Sequence, residues 1–366
     1  MSELAYGVGL PLDVPVEQVV RVAREAERLG YAFTWINDDR LLRDVYVALA
    51  AVAGATSRVR IGPGVTNPYT RHPVLTAAAV ATLDELSGGR AVLGLGAGGT
   101  NHAPLGIRRD RPAIAMREAI AIVRGLLSGE PVTVEGGVIE AHSALLDFAA
   151  PRADVPIYVG ARGPRLLELA GELADGVIVG NVATVEGWRY AAEHVHAGAL
   201  RVGRDPGELT WVAWLYTCVA DDGDSARDAI RPMVATSLVT SRAVLAELGV
   251  TMPERFAAVM EELGWSLSPA AVTRAGAEIP AQVLGQFGVA GTPQECRSHL
   301  ARLVGELPQL SQVTIVPAPT RDQTTAEVVR RFIEEVAPGP ARTPATPDPV
   351  AIGKLRRGES PPRSGQ

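Results

Sequence analysis

Five short stretches carry the residue types that could do chemistry, and each follows an apolar, β-rich run. In "GPGVTNPYTRHP" (62–73), two glycines, an asparagine, an arginine and a histidine stand directly behind Val59–Ile61. Glycines flanking a bulged strand end let backbone approach a flat ligand, while Pro68 and Pro73 restrict the path into the next helix. Gly64, Val65, Thr66 and Asn67 are therefore placed to face a ligand; a stiff connecting loop is the plainer reading. "GARGPR" (160–165) closes one apolar run and opens a helical one. Free N–H groups at a helix start, its positive macrodipole end and a nearby cation can together hold a phosphate. That assigns Gly160, Ala161, Arg162, Gly163 and Pro164 to an anion, with Gly180, Asn181 and Val182 of "GVIVGNV" bordering it; a plain loop with a solvated arginine is the alternative.

"TWINDDR" (34–40) places Asn37, Asp38 and Asp39 in an otherwise apolar neighbourhood, where an aspartate would serve equally well as a helix cap. In "GTNHAPLG" (99–106), His102 is the one histidine suited to general-acid work, because imidazole titrates near neutrality; a surface loop histidine is the alternative. The adjoining "GLGAGG" (94–99) fits the dinucleotide pattern GxGxxG at Gly94, Gly96 and Gly99. Pro104 and Pro112, however, interrupt the helix that a dinucleotide-binding turn requires next.

These stretches need a scaffold that brings strand ends together. Short apolar runs alternate with amphipathic segments: "AYGVGL" then 14–29, "FTWI" then 44–57, "VRIGPGV" then 73–86, "RAVLGLG" then 112–127. The pattern continues through "PIYVGA" then 163–174, "GVIVG" then 184–201, "LTWVAWLYTCVA" then 222–248, and "QVTIVPAP" then 323–336. Eight strand-then-helix units predict an α/β protein folded as a closed parallel (β/α)8 TIM barrel, with an open doubly wound sheet as the competing fold. In a barrel the residues just past each strand converge on one face. All five stretches then share a mouth.

Two segments interrupt the count and belong at that mouth. Residues 130–148 read as a hairpin turning at "EGG", and 250–311 as added helical material. The prediction is one domain over 1–338 with these two insertions, followed by a disordered proline-rich tail, 339–366.

Composition narrows the function classes. The chain has 366 residues, 47% of them hydrophobic, and a formal net charge of -6, which argues against nucleic-acid binding. No apolar run reaches a membrane span and residues 1–12 lack signal-peptide character, so a cytoplasmic protein without a membrane partner is expected. Cys218 and Cys296 lie far apart and support neither a disulfide framework nor a metal site.

The chain resembles the bacterial luciferase-like superfamily over nearly all of residues 1–338, through "GVTNPYTRHPVLTAAAVATLDELSGGRAVLGLGAGG", "RPAIAMREAIAIVRGLLSGEPVTVEG", "GARGPRLLELAGELADGVIVGN" and "GVAGTPQEC". It is most similar to the branch that uses coenzyme F-420, an 8-hydroxy-5-deazaflavin, and especially to methylenetetrahydromethanopterin reductases. The resemblance implies an F-420-dependent oxidoreductase, a homodimer or higher homo-oligomer, that exchanges a hydride with a small organic substrate. It implies a cis peptide bulge at Gly64–Val65 behind the ring, with Asp38, helped by Asn37 or Asp39, on the ring or its ribityl chain. Gly96, Ala97, Gly98 and Gly99 would let the cofactor approach strand four, and Asn101 would supply an amide. Trp35, Tyr69 and Trp214 would wall the substrate side or lie in the core. Monooxygenase members using FMN often carry a Glu-His-His cluster where this chain has Asn37, Asp38 and Asp39. Sugar-phosphate dehydrogenase members carry a histidine beside the strand-two aspartate and a glutamate in the strand-four loop; here stand Asp39 or Arg40, and Gly99. FMN and a non-catalytic cofactor-binding relative remain the alternatives.

Overall fold

The computed structural model describes residues 4–39, 41–98, 103–307 and 309–337. Its strands are β1 (Ala5–Leu10), β2 (Phe33–Ile36), β3 (Arg60–Pro63), β4 (Leu93–Gly96), β5 (Val132–Val134), β6 (Ala141–Ala144), β7 (Ile157–Ala161), β8 (Gly176–Gly180), β9 (Thr210–Val219), β10 (Gly288–Gly291) and β11 (Leu310–Pro317). Eight of them are parallel neighbours in the order β3-β2-β1-β11-β9-β8-β7-β4. The two ends of that series meet, because Val92 N–H donates to Ile61 O (2.9 Å), Thr66 N–H to Gly94 O (2.9 Å) and Gly96 N–H to Thr66 O (2.8 Å). The sheet thus closes as the barrel that the alternation predicts. Bridges at Ile61–Ala91 and Thr66–Leu95 leave strand three one residue longer than its partner, which is a bulge at residues 62–65.

Each crossover helix is written for its place. Helix Val16–Arg28 buries Val19, Val22, Ala23 and Ala26, a 3.6-residue stripe, with Glu17 in its first turn and Arg28 in its last. The main core lies between sheet and helices, and a second cluster fills the barrel: Phe33, Trp35, Val92, Tyr158, Ile178, Val212, Trp214 and Val316. Alternation along β2 shows the division, with Phe33 and Trp35 inside and Ile36 in the outer core.

The first insertion is an antiparallel pair, β5 and β6, whose connecting loop is gripped by Glu118 of helix Pro112–Leu127. That carboxylate accepts the N–H groups of Gly137 (2.6 Å), Val138 (3.2 Å) and Ile139 (2.7 Å). The second insertion is not purely helical. β10 extends the sheet beside the far end of β9, and helix Pro293–Glu306 follows it with a Thr292/Glu295 capping box. Four residues with two glycines give too short a pattern to distinguish a strand from a loop.

One buried ion pair ties strand entry to helix exit. Asp84 is fully buried, accepts Ala91 N–H at 3.0 Å and takes both nitrogens of the Arg152 fork at 2.9 Å. Arg152 is partly exposed; removing it would strand the fully buried Asp84 charge, and removing Asp84 leaves the Ala91 N–H and the Arg152 fork without their acceptor. Asp84→Ala is expected to lower stability by about 3 kcal/mol or more, read from the urea midpoint; a loss below about 1 kcal/mol would show that the pair is dispensable.

Candidate active site at the barrel mouth

The strand ends surround a cavity of about 480 Å³. It is lined by Asn37 and Asp38 after β2, Gly64, Val65 and Asn67 after β3, Gly96, Ala97 and Gly98 at the end of β4, Gly160, Ala161, Arg162 and Gly163 at the end of β7, and Gly180 and Asn181 at the end of β8. Residues separated by more than a hundred positions therefore share one space, as parallel strands ending on one face require. Three other predicted site residues turn away. Thr66 is fully buried and directs its hydroxyl onto Asp38; Val182 faces the outer core; Pro164 begins the helix and does not line the cavity. Gly99, Asn101 and His102 lie outside the described residues.

The peptide bond Gly64–Val65 is cis, at the position the resemblance implies. The reason for the glycines differs from the one read in the sequence. A Cβ on Gly64 would stand 2.7 Å from atoms of both Trp35 and Trp214, and one on Gly96 would stand 2.6 Å from a Val65 methyl. These glycines make room for the barrel's own plug, Val65 and the two tryptophans. Gly163 and Gly180 are different, since a Cβ there would meet nothing within 4 Å.

The polar groups divide into those already satisfied and those that await a partner. Asn67 is spent on its own loop: Oδ1 accepts the N–H groups of Tyr69 and Thr70 and the amide donates to Thr70 Oγ1. Asn37 and Asn181 each carry a buried Oδ1 without a hydrogen-bond partner in the described structure. Asn181 holds its place with a left-handed backbone, φ 56°, and an N–H donated to Trp214 O at 2.7 Å. Two unpaired acceptors in a cavity floored by Trp214 suit a flat ligand that bears N–H or O–H donors.

Arg162 supplies the opposite character. Its guanidinium donates to Ser241 Oγ (2.5 Å) and Thr240 Oγ1 (3.3 Å), and burial pulls its pKa below the usual arginine range. Among the described residues no carboxylate pairs with it. Helix Pro164–Leu173 begins beside it with no side chain capping its first N–H groups. A cation without a counter-ion next to an uncapped helix start is an arrangement for an anion.

Several lining residues carry no sequence signal. Thr240, Ser241, Ala243 and Val244 come from the end of helix Gly223–Thr240 and the turn after it, inside a stretch that reads as continuous helix. Arg109 reaches Gly98 O at 2.8 Å from an irregular loop. The capping alternative for Asp38 and Asp39 fails, because Asp44 caps helix Val45–Ala55. His72 does cap its helix, with Nδ1 accepting Val74 N–H. Trp35 is buried in the barrel below the cavity and Trp214 lines it, whereas the Tyr69 hydroxyl donates to Asp110 O. No group of metal-ligating side chains occurs among the described residues, and none of their helices is long and apolar enough to cross a membrane.

The model of the luciferase-like monooxygenase family matches residues 4–308. The chain belongs to that family. Among luciferase-like relatives it is 34% identical to the 5,10-methylenetetrahydromethanopterin reductase of Methanolobus tindarius, covering 82% of this chain and 91% of that one. It is 30% identical to the phthiodiolone/phenolphthiodiolone dimycocerosates ketoreductase of Mycobacterium bovis, over 82% and 81%. The solved coenzyme F-420-dependent tetrahydromethanopterin reductase of Methanopyrus kandleri superposes with a TM-score of 0.80 at 28% identity, covering 92% of this chain and 99% of that structure.

Proposed function

We propose that this luciferase-like chain is a coenzyme F-420-dependent oxidoreductase that transfers a hydride between the deazaflavin and a small organic substrate. The carrying observation is the coincidence, in one cavity, of two unpaired amide oxygens beside Trp214 and an unpaired cation at an uncapped helix start. Asn37, Asp38 and Asn181 would hold the ring system, Gly180 would admit the ribityl chain, and Arg162 with Gly163 would hold the phosphate. When bound, the deazaflavin supplies a two-electron hydride donor or acceptor, and the protein supplies orientation, a water-poor face and a proton. The similar solved reductase, named as coenzyme F-420-dependent, and the similar reductase and ketoreductase support this reading. The test is to mix the protein with chemically reduced F-420 and either 5,10-methylenetetrahydromethanopterin or a panel of ketones, following the return of the oxidised chromophore. No turnover with F-420, together with an oxygenated organic product formed only with dioxygen and reduced FMN, would instead make it a monooxygenase.

The same reading includes a cytoplasmic homodimer. Helix Val45–Ala55 has no charged residue, and Val47 (67% exposed), Leu75 (58%) and Leu86 (55%) stand out from it and the neighbouring helix Pro73–Ser87. A helix apolar all round belongs inside something, and the uncharged exposed side of Val45–Ala55 suits a second copy of itself. A monomeric mass in sedimentation would exclude the dimer.

A further inference from the structure

Reduction of a C=N or C=O bond leaves an electron pair on the heteroatom, and that pair needs a proton from a positioned acid. His102 lies outside the described residues, so the acid is sought among the cavity's own side chains. The carboxyls that line the cavity among the described residues are Asp38 and Asp39, and Asp39 is exposed. Asp38 is held differently. Thr66, fully buried and fixed by its backbone bonds to Gly94 and Gly96, donates its hydroxyl to Asp38 Oδ2 at 2.6 Å. Oδ2 is thereby engaged as an acceptor, which leaves Oδ1, with no hydrogen-bond partner among the described residues, as the oxygen placed to carry a proton to a ligand.

We propose that Asp38 is the acid of this site, its Oδ1 donating the proton that accompanies hydride transfer. This rests on the oxidoreductase reading above. The hydride forms the new C–H bond at the substrate's electrophilic carbon; in a carbonyl the π pair moves to oxygen, whereas in a methylene bridged between two nitrogens one C–N bond breaks and its pair stays on the departing nitrogen, and in either case that heteroatom takes the Oδ1 proton. The carboxylate left behind is reprotonated from water at the open mouth, and reduced F-420 is the reductant consumed.

The surroundings raise the proton affinity of this carboxyl. Burial is the largest influence and pushes the Asp38 carboxyl above the usual range. The Thr66 hydroxyl and Arg71 pull it down, while Asp44 and Asp39 push it up. Tyr46, whose hydroxyl is buried beside this cluster, stays neutral, its pKa raised by burial.

The test uses Asp38→Asn, which keeps an acceptor for Thr66 and so keeps the fold. In holoenzyme loaded with F-420, infrared difference spectra over a pH series should show a protonated-carboxyl band that persists above the ordinary aspartate value of about 3.9 and is absent from the variant. With 5,10-methylenetetrahydromethanopterin as probe and F-420 saturating, the variant should lose roughly 100-fold in kcat, within the usual range for a lost general acid. Absence of an Asp38-dependent band, or an unchanged kcat, would overturn the assignment. If the wild-type protein does not turn over the probe, the substrate reading fails and the band still decides.

Discussion

Arg162→Ala is expected to weaken F-420 binding by about 2 kcal/mol, roughly thirtyfold, while leaving almost unchanged the binding of a truncated deazaflavin that ends at the ribityl chain. The guanidinium holds only two hydroxyls, and the helix start beside it lacks a side-chain cap. Both features mark a place where an anion's charge is met and paired. The truncated ligand separates two roles, because Arg162 also ties Thr240 and Ser241 to the exit of β7. If both ligands lose affinity equally, Arg162 is a strut for the cavity wall and the phosphate lies elsewhere.

Gly64→Val is expected to prevent a stable barrel, a loss of more than about 3 kcal/mol, whereas Gly180→Ala should fold normally and weaken F-420. The sequence places Gly64 where backbone approaches a flat ligand, and the structure adds a packing role. The first added carbon would lie 2.7 Å from Trp35 Cβ and from a ring carbon of Trp214, and Trp35 is wholly buried beneath the cavity. A close-packed interior has no room for a β-branched side chain there. At Gly180 the same carbon would project into open space in the cavity wall, where only a ligand can feel it. Thermal unfolding of both variants, with the F-420 affinity of the folded one, checks the pair. A stable Gly64→Val protein would show that the plug of Val65, Trp35 and Trp214 is looser than its packing implies.

The strands and most of the mouth were legible because both are local. Apolar runs at regular spacing specify buried parallel strands, and residues just past them must converge once the barrel closes. Asn37, Asp38, Gly64, Arg162 and Asn181 were found in this way, and all line the cavity. What stayed hidden depends on long-range packing. Thr240 and Ser241 line the cavity only because helix Gly223–Thr240 ends above β7, and nothing in "ATSLVT" announces that contact. Thr66 alternates away from the cavity onto Asp38, and Val182 packs outward against Gly187. Sequence position alone cannot say on which side of a strand exit a residue falls.

The most direct test is a parallel titration of the purified protein with F-420 and with FMN under identical conditions. Both carry a flat ring, a ribityl chain and a phosphate, and F-420 alone continues beyond the phosphate, so the comparison reads the preference for the whole deazaflavin cofactor over the flavin one. The account predicts that F-420 binds at least tenfold more tightly, a difference of about 1.4 kcal/mol. FMN binding as tightly or more tightly would contradict it.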